Sequence, residues 1–597
     1  MKKELSQLRE AMKRRGLDAY LIPTADYHES EYVNEHFQFR KYISGFTGSA
    51  GTLVVTADEA GLWTDGRYFL QAEQQLSGSG ITLYRLGVSG TEAIHEFLTR
   101  TIPDGGALGV DGRTIPYQMG RHLAATLEKK NISFSYEEDL AESVWTDRPP
   151  LCPKAIWSLP LSSAGIPRLE KLAQVRAELQ KSGANAYLIT GLDDIAWLMN
   201  LRGNDISCNP VFFSYCLLTP DKTKLFLHLD ALSKELHEEL VQDGICLCSY
   251  EEIYDALRSL PVNCHLFLDP SRVSYRLKQT VPKEIRQILG TNPTTLLKSK
   301  KNAAEISCLK EANRKDGAAM VKFLCWLKEA VAKDSITEIT ASSRLEAFRR
   351  EQEGFLDLSF DTIAAYGSHA AVIHYTPTPE TDTALKPEGL FLLDSGAHYI
   401  DGTTDITRTV ALGPVTKEMK TCYTAVLKGM LALADAHFPS GCRGEHLDIL
   451  ARRPLWELGL DYRHGTGHGI GFLLNVHEGP NRFAWNTNPQ KPSGILEPGM
   501  VTSDEPGFYE DGAFGIRIEN DLLCIDGPDT AYGHFLAFEP LTLCPIDKEA
   551  IDISQMTEYE IELLNQYHAL VWRELSGRLS EKEKAWLQQA TSPIHAL

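Results

Sequence analysis

The polar residues that interrupt apolar runs, and so could do chemistry, concentrate between Asp361 and Glu539. The segment GLFLLDSGAHYIDGTTDITRTVAL runs an apolar strand into Asp394, turns at Asp401-Gly402, and resumes as a β-rich run, Thr403 to Leu412, that contains Asp405. Taken singly, either aspartate reads as a turn or cap residue, because Asp-Ser-Gly and Thr-Asp are common loop words. The next segment, YRHGTGHGIGFLLNVHEGP, places His464, His468 and His477 within fourteen residues of a chain that holds 18 histidines. Its glycines let the backbone pass closely and expose the imidazoles. They do not make a phosphate loop, since no Gly-Lys-Ser/Thr follows and no GxGxxG opens a helix after a strand. Finally, MVTSDEPGFYEDGAFGIRIENDLLCI predicts a strand ending in Glu505, stopped by Pro506-Gly507, and a second strand. Period-2 alternation there puts Ile516 and Ile518 on one face and Arg517 with Glu519 on the other, which alone could be a simple ion pair.

The set as a whole points further. Asp394, Asp405, His468, Glu505 and Glu519 combine hard oxygen donors with one imidazole, which suits Mn²⁺, Co²⁺, Fe²⁺ or Zn²⁺. Four carboxylates match the charge of two dications. Packed around empty space they would repel and raise one another's pKa values, so metal is the natural compensating charge.

Such a set needs a scaffold, and the chain of 597 residues is long enough for several domains. LSQLREAMKRRGLDAYLI (Leu5 to Ile22) aligns without gaps on LAQVRAELQKSGANAYLI (Leu172 to Ile189). Each reads as an amphipathic helix, stopped at Gly16 or Gly183, followed by a strand, which implies two related α/β domains. A proline-rich stretch over 143–168 predicts a linker. Near residue 298, loop chemistry passes into a long helix with Ile306, Leu309 and Ala312 on one face. The expected division is 1–142, linker 143–168, 169–297 as a repeat of the first domain, a catalytic domain over 298–548, and a helical tail over 549–597. The tail repeats Ile561, Leu563, Leu564, Tyr567, Leu570, Val571 and Trp572 at helical spacing, a stripe that reads as core packing, with a subunit interface as the alternative.

A net charge of −20, from 80 acidic and 60 basic residues, argues against nucleic acid and anionic lipid as partners. No run approaches the roughly 18 to 20 apolar residues of a membrane span, and the first residues are too charged for a signal peptide, so the expected address is the cytoplasm. The twelve cysteines contain no Cys-x-x-Cys pair and read as buried reduced thiols, with Cys246 and Cys248 on one face of a strand.

The order Asp394, Asp405, His468, Glu505, Glu519, with spacings of 11, 63, 37 and 14, resembles the ligand set of the pita-bread metallopeptidases. The strings DSGAHYIDGTTDITRT, HGTGHGIGFLLNVHEGP and DEPGFYEDGAFGIRIEN resemble the cytosolic, three-domain aminopeptidase P branch. SGFTGSAG and LWTDGRYFLQAE resemble the creatinase-type modules that precede its catalytic domain. The resemblance implies an α/β and α+β multidomain protein, two creatinase-like domains followed by a pita-bread α+β domain, and suggests a homodimer. It also implies that Asp405 and Glu519 bridge two metal ions, Mn²⁺ first and Zn²⁺ or Co²⁺ as alternatives, that Asp394 completes one site, and that His468 with Glu505 completes the other. By the same resemblance His374 and His477 line the scissile bond, while His464, Tyr509 and Arg517 border a proline site.

The implied reaction is hydrolysis of the bond between an N-terminal residue and a penultimate proline. Two cations roughly 3.5 to 4 Å apart can hold a bridging hydroxide at neutral pH, with Glu505 taking the water's proton. Proline offers no N–H, so shape must replace a hydrogen bond at that position. Three alternatives stay open: a prolidase acting on Xaa-Pro dipeptides, a metal-free creatinase, and a pita-bread module that only binds protein. The complete ligand set disfavours the last two.

Overall fold

The computed structural model describes residues 3–485 and 493–596; the chain ends and 486–492, which fall in the expected first, last and catalytic segments, lie outside the described residues. It forms two units, one comprising Met1–Leu161 with Ile166–Thr295, the other Ser162–Gly165 with Leu296–Leu597.

In the first unit the sequence repeat becomes a structural one. Helix α1 (Lys3–Arg15) buries Leu5, Leu8 and Met12 and leads into β1 (Ala19–Pro23). The sheet continues through β2 (Thr52–Thr56), β3 (Ala60–Thr64), β4 (Thr82–Arg85), β5 (Ala107–Val110) and β6 (Ser133–Ser135), in the order β4-β3-β2-β1-β5-β6. Helix α2 (Arg168–Lys181) buries Leu172, Val175 and Leu179, the positions that align with the first three, and opens the second copy. Its strands are β7 (Ala186–Ile189), β8 (Ser214–Leu218), β9 (Thr223–Leu227), β10 (Ile245–Ser249), β11 (His265–Leu268) and β12 (Arg286–Leu289). Their order, β10-β9-β8-β7-β11-β12, reproduces the first sheet, and so does the sense of every pairing, two antiparallel and three parallel.

Within the stretch expected as a linker, Trp157–Ser158 pairs as a short strand and Leu161–Ala164 forms a helical turn. The expectation for the cysteines needs correction. All twelve cysteines are free, but only Cys216, Cys264, Cys325, Cys422, Cys524 and Cys544 are buried. Cys246 and Cys248 do share a strand face, with sulfurs 4.0 Å apart, yet β10 is an edge strand and lacks cover on its outer side.

The second unit opens with α3 (Ala303–Ala330). Asn302 caps it by accepting from the Ala304 and Glu305 amides, and Glu305 reaches back to the Asn302 amide, so three donors of the first turn are satisfied. Leu309 and Ala312 are buried on its inner face, and Ile306 is half-buried. Strands β13 (Ile363–Tyr366), β14 (Leu390–Ser395) and β15 (Ile406–Ala411) form an antiparallel sheet in which Asp394 is opposite Thr407. Helices α4 (Lys417–Ala434) and α5 (Gly444–Trp456) flank the first strand of the larger sheet. That sheet contains β16 (Phe438–Pro439), β17 (Gly467–Gly469), β18 (Glu478–Phe483) and β19 (Val501–Asp504). The hairpin β20 (Gly507–Glu510) and β21 (Phe514–Arg517) follows, and β22 (Asn520–Thr530) and β23 (Gly533–Pro540) complete the order β16-β23-β22-β19-β17-β18.

The tail forms α6 (Glu558–Leu575) and α7 (Glu581–Ala590). Ile561, Leu564, Tyr567 and Val571 are buried in one cluster with Tyr423 and Leu427 of α4, and Leu563, Leu570 and Trp572 pack against it. The stripe is therefore core packing within this chain. Among the described residues no helix is long and apolar enough to cross a membrane.

Candidate metal centre

The elements just described bring five separated stretches to one place. Asp394 is the last residue but one of β14, Asp405 sits immediately before β15, His468 is the middle of β17, Glu505 follows β19, and Glu519 lies between β21 and β22. Strands β17 and β19 can approach only because residue 467 is glycine: a Cβ there would stand 1.7 Å from the Ser503 carbonyl oxygen. Asp405, His468 and Glu519 each offer a donor atom, all within 4.8 Å of one another. His468 Nε2 is 3.5 Å from both Asp405 Oδ2 and Glu505 Oε1.

Neighbouring groups set the orientation of these donors. His468 Nδ1 lies 3.0 Å from the Gly469 carbonyl, which can only accept, so Nδ1 carries a proton and Nε2 is the ring atom turned to the carboxylates. The Ser503 hydroxyl donates to Glu505 Oε1 at 3.2 Å and accepts from the His468 amide at 3.0 Å. Thr407 Oγ1 donates to Glu519 Oε2 at 2.5 Å. Arg517 Nη2 donates to Asp394 Oδ2 at 2.5 Å, and its Nε donates to Thr407 Oγ1 at 3.2 Å.

Beside the acids runs a chain of three polar groups. Arg517 Nη1 donates to the Tyr509 hydroxyl at 2.8 Å, and that hydroxyl is 2.9 Å from His464 Nε2. His464 Nδ1 faces the Gly465 carbonyl at 2.7 Å, so Nε2 accepts and Tyr509 donates. Burial pushes the Tyr509 phenol up to about 12 against the pull of Arg517, which keeps it a neutral donor. The His477 ring stands edge-on to His468 with centroids 4.3 Å apart. His374 lies in a half-buried stretch after Gly367–Ala371, a segment packed so tightly on β21 that a Cβ at Gly515 would meet the Ala370 carbonyl oxygen at 1.8 Å.

The residues present fit divalent metal. Asp394 Oδ1 and Asp405 Oδ1 are buried with no hydrogen-bond partner, an arrangement that costs free energy unless something supplies positive charge. Burial raises the pKa of Asp394, Glu505 and Glu519, and their mutual repulsion adds to the rise. Burial opposes charge on His468, yet Asp405 and Glu505 outweigh it and push the imidazole up to about 10. These are the strains of an acidic cluster awaiting cations.

Two differences from the sequence expectations stand out. Asp405 and Glu519 are not within continuous strands: the expected runs break beside each of them. Arg517 and Glu519 nonetheless converge, on Thr407. Thr407, Ser503 and Asp521 escaped notice in the sequence, and Asp521 Oδ2 accepts from the Asp405 amide at 3.3 Å. The period-2 rule that paired Arg517 with Glu519 would have found all three, since each lies two residues from a ligand.

Comparison with known proteins agrees with this arrangement. Residues 307–526 match metallopeptidase family M24, 5–140 and 147–305 each match a creatinase/prolidase N-terminal domain, and 534–594 match the C-terminal region of the M24 peptidases. Aminopeptidase P2 of Arabidopsis thaliana is 40% identical over 97% of this chain and 86% of its own length. A probable Xaa-Pro aminopeptidase P of Talaromyces marneffei is 41% identical over 99% of this chain and 92% of its own. The chain belongs to the aminopeptidase P family of M24 metallopeptidases. Within that family, the crystal structure of X-prolyl aminopeptidase from Caenorhabditis elegans, described as a cytosolic enzyme with a di-nuclear active site, superposes with a TM-score of 0.94 at 35% identity over 99% of both chains. An Xaa-Pro dipeptidase from Bacillus anthracis superposes over only 64% of this chain, with a TM-score of 0.51 and 26% identity.

Proposed function

We propose that this chain is a metal-dependent aminopeptidase that removes an N-terminal residue from peptides with proline in second position. The observation that carries it is the convergence of Asp405, His468 and Glu519 within 4.8 Å, beside a wall made by His464, Tyr509 and Arg517. Full-length identity to named aminopeptidases P, and likeness to a di-nuclear X-prolyl aminopeptidase, support the same reading.

In this reading Asp405 and Glu519 would be shared between two divalent ions, with Asp394 helping to hold one and His468 with Glu505 the other. Manganese is the first choice, with Zn²⁺ and Co²⁺ as alternatives that the oxygen-rich donors also accept. The ions supply Lewis acidity and a water acidic enough to react at neutral pH. Glu505 takes the proton of the attacking water. His477 donates to the scissile carbonyl oxygen, and His374 contacts the proline side. The carbonyl–nitrogen bond breaks, hydroxyl goes to the carbonyl carbon and a proton to the proline nitrogen. Because that nitrogen carries no N–H, the flat faces of His464 and Tyr509 select the ring by shape, and Arg517 fixes Tyr509. Among the substrate's groups the free α-amine is drawn to the acidic cluster.

The proposed division is a first creatinase-like domain over 1–142, a linker over 143–168, its repeat over 169–297, the catalytic domain over 298–548 and the tail over 549–597. A cytoplasmic homodimer is the proposed working form; the relative described as cytosolic supports the address. Sedimentation of the purified chain tests the dimer. Hydrolysis of an Xaa-Pro-Yaa panel with Mn²⁺, Zn²⁺ and Co²⁺ added in turn tests the activity. Cleavage of Xaa-Pro dipeptides alone would replace the aminopeptidase reading with a prolidase one.

A further inference from the structure

From just after His468 to just after His477 the chain makes a loop, Ile470 to Glu478, whose two ends meet one buried cation. Lys301 Nζ donates to the Ile470 carbonyl at 2.5 Å, to Glu478 Oε1 at 2.6 Å and to the Ser299 carbonyl at 3.3 Å, which accounts for all three of its protons. The second oxygen of the same carboxylate, Glu478 Oε2, is 3.2 Å from Lys298 Nζ. Lys301 is 5% exposed, Lys298 and Glu478 4%. The Lys301 backbone is itself held, its amide donating to the Gly499 carbonyl at 2.9 Å.

Ile470 lies two residues after His468, and Glu478 one residue after His477, so the ammonium stands where the loop leaves one imidazole and reaches the other. The loop is also tied across its middle. Gly471 N donates to the Asn475 carbonyl at 3.2 Å, and Thr403 Oγ1 donates to the Leu474 carbonyl at 3.2 Å. Leu473 has a left-handed backbone, φ +47, which a leucine adopts only under surrounding constraint. Charges this deep are retained against a large desolvation penalty, and removing the Glu478 carboxylate would take it from both Lys298 and Lys301.

We propose that Lys301 and Glu478 are positioning residues for the reaction. Their buried pair clamps both ends of the 470–478 loop and so holds the His468 and His477 rings at their edge-on separation. This rests on the aminopeptidase reading for its kinetic consequence, but the clamp itself is a statement about the loop. Misplacing a reacting group by about 1 Å costs on the order of a hundredfold in rate, so a slackened loop lowers kcat rather than substrate binding.

Two variants of the full-length, metal-loaded chain test it. Lys301→Met removes the charge while keeping the bulk of the stem, and Glu478→Gln keeps the shape and one acceptor. Both should lower kcat on an Xaa-Pro-Yaa peptide by roughly 10- to 100-fold with KM within about twofold. Hydrogen exchange read by mass spectrometry should show the 470–477 segment exchanging at least about tenfold faster in each variant, with the rest of the chain unchanged. If Lys301→Met fails to fold, Glu478→Gln decides. Wild-type kcat in the folded variants, or unchanged exchange of 470–477, overturns the clamp. A wild-type chain that leaves the peptide uncut overturns the aminopeptidase reading instead, and the exchange measurement then judges the clamp alone.

Discussion

Arg517 Nη2 lies 2.5 Å from Asp394 Oδ2, and the same guanidinium holds the Tyr509 hydroxyl at 2.8 Å. One buried cation thus joins a candidate metal ligand to the candidate proline wall. Arg517→Lys keeps the charge but cannot span both partners, because a lysine offers a point donor where arginine offers a planar fork. We expect kcat/KM on an Xaa-Pro-Yaa peptide to fall on the order of 100-fold or more, the scale of losing one fixed polar contact at a reacting centre. Steady-state kinetics on the purified variant checks this, and near-normal kcat/KM would detach Arg517 from the site.

Glu505 and His468 face each other at 3.5 Å, and each is assigned to the same metal position. Glu505→Ala and His468→Ala should nearly abolish turnover while circular dichroism and the melting transition stay close to those of the parent. Appreciable turnover by either folded variant would remove that residue from the ligand set.

Chelation should inactivate the chain, and Mn²⁺ should restore activity. Because the ions bind the folded state and relieve the repulsion among Asp394, Glu505 and Glu519, they should also raise its stability. The gain is about 2.7 kcal/mol when free metal is 100 times the dissociation constant. Calorimetry of metal-free and reloaded protein measures it. Full activity in rigorously metal-free protein would contradict the two-ion reading.

A pH effect is expected at His568 of α6, which is not among the candidate ligands. Its Nε2 accepts from the Ile546 amide at 3.1 Å, the ring is fully buried, and burial, reinforced by Lys548 and Arg408, lowers its pKa to about 3. The unfolded chain takes up a proton near pH 6.5 that the folded chain refuses. Stability from the neutral ring is therefore present above about 6.5 and is lost as the pH falls towards 3. Between pH 6.5 and 5 the loss amounts to about 1.5 kcal/mol. His568→Gln keeps an acceptor and does not titrate, so its denaturation midpoint should fall less over this range; an identical pH dependence in both proteins would rule out His568 as the source.

Much of this was legible in the residues themselves, for local physical reasons. The repeated stripes Leu5, Leu8, Met12 and Leu172, Val175, Leu179 marked two helices, because helical periodicity is written directly in side-chain type, and both sets are buried. The five candidate ligands stood out because acids and a histidine that interrupt β-type apolar runs have no local partner.

Other features depended on contacts that no local pattern encodes. Which strand lies beside which is decided across more than a hundred residues, as where Thr407 meets Glu519, and the close passage of Gly467 over Ser503 exists only once β17 and β19 have paired. The cysteines show the same limit, since Cys246 and Cys524 look alike in sequence, and only sheet position leaves one exposed and the other buried. Sequence alone determined the periodicities and the donor types, because these are properties of neighbouring residues. The tertiary structure decided convergence, burial and charge, because Lys301, Arg517 and the four acids acquire their energies only from partners that folding brings within hydrogen-bond reach.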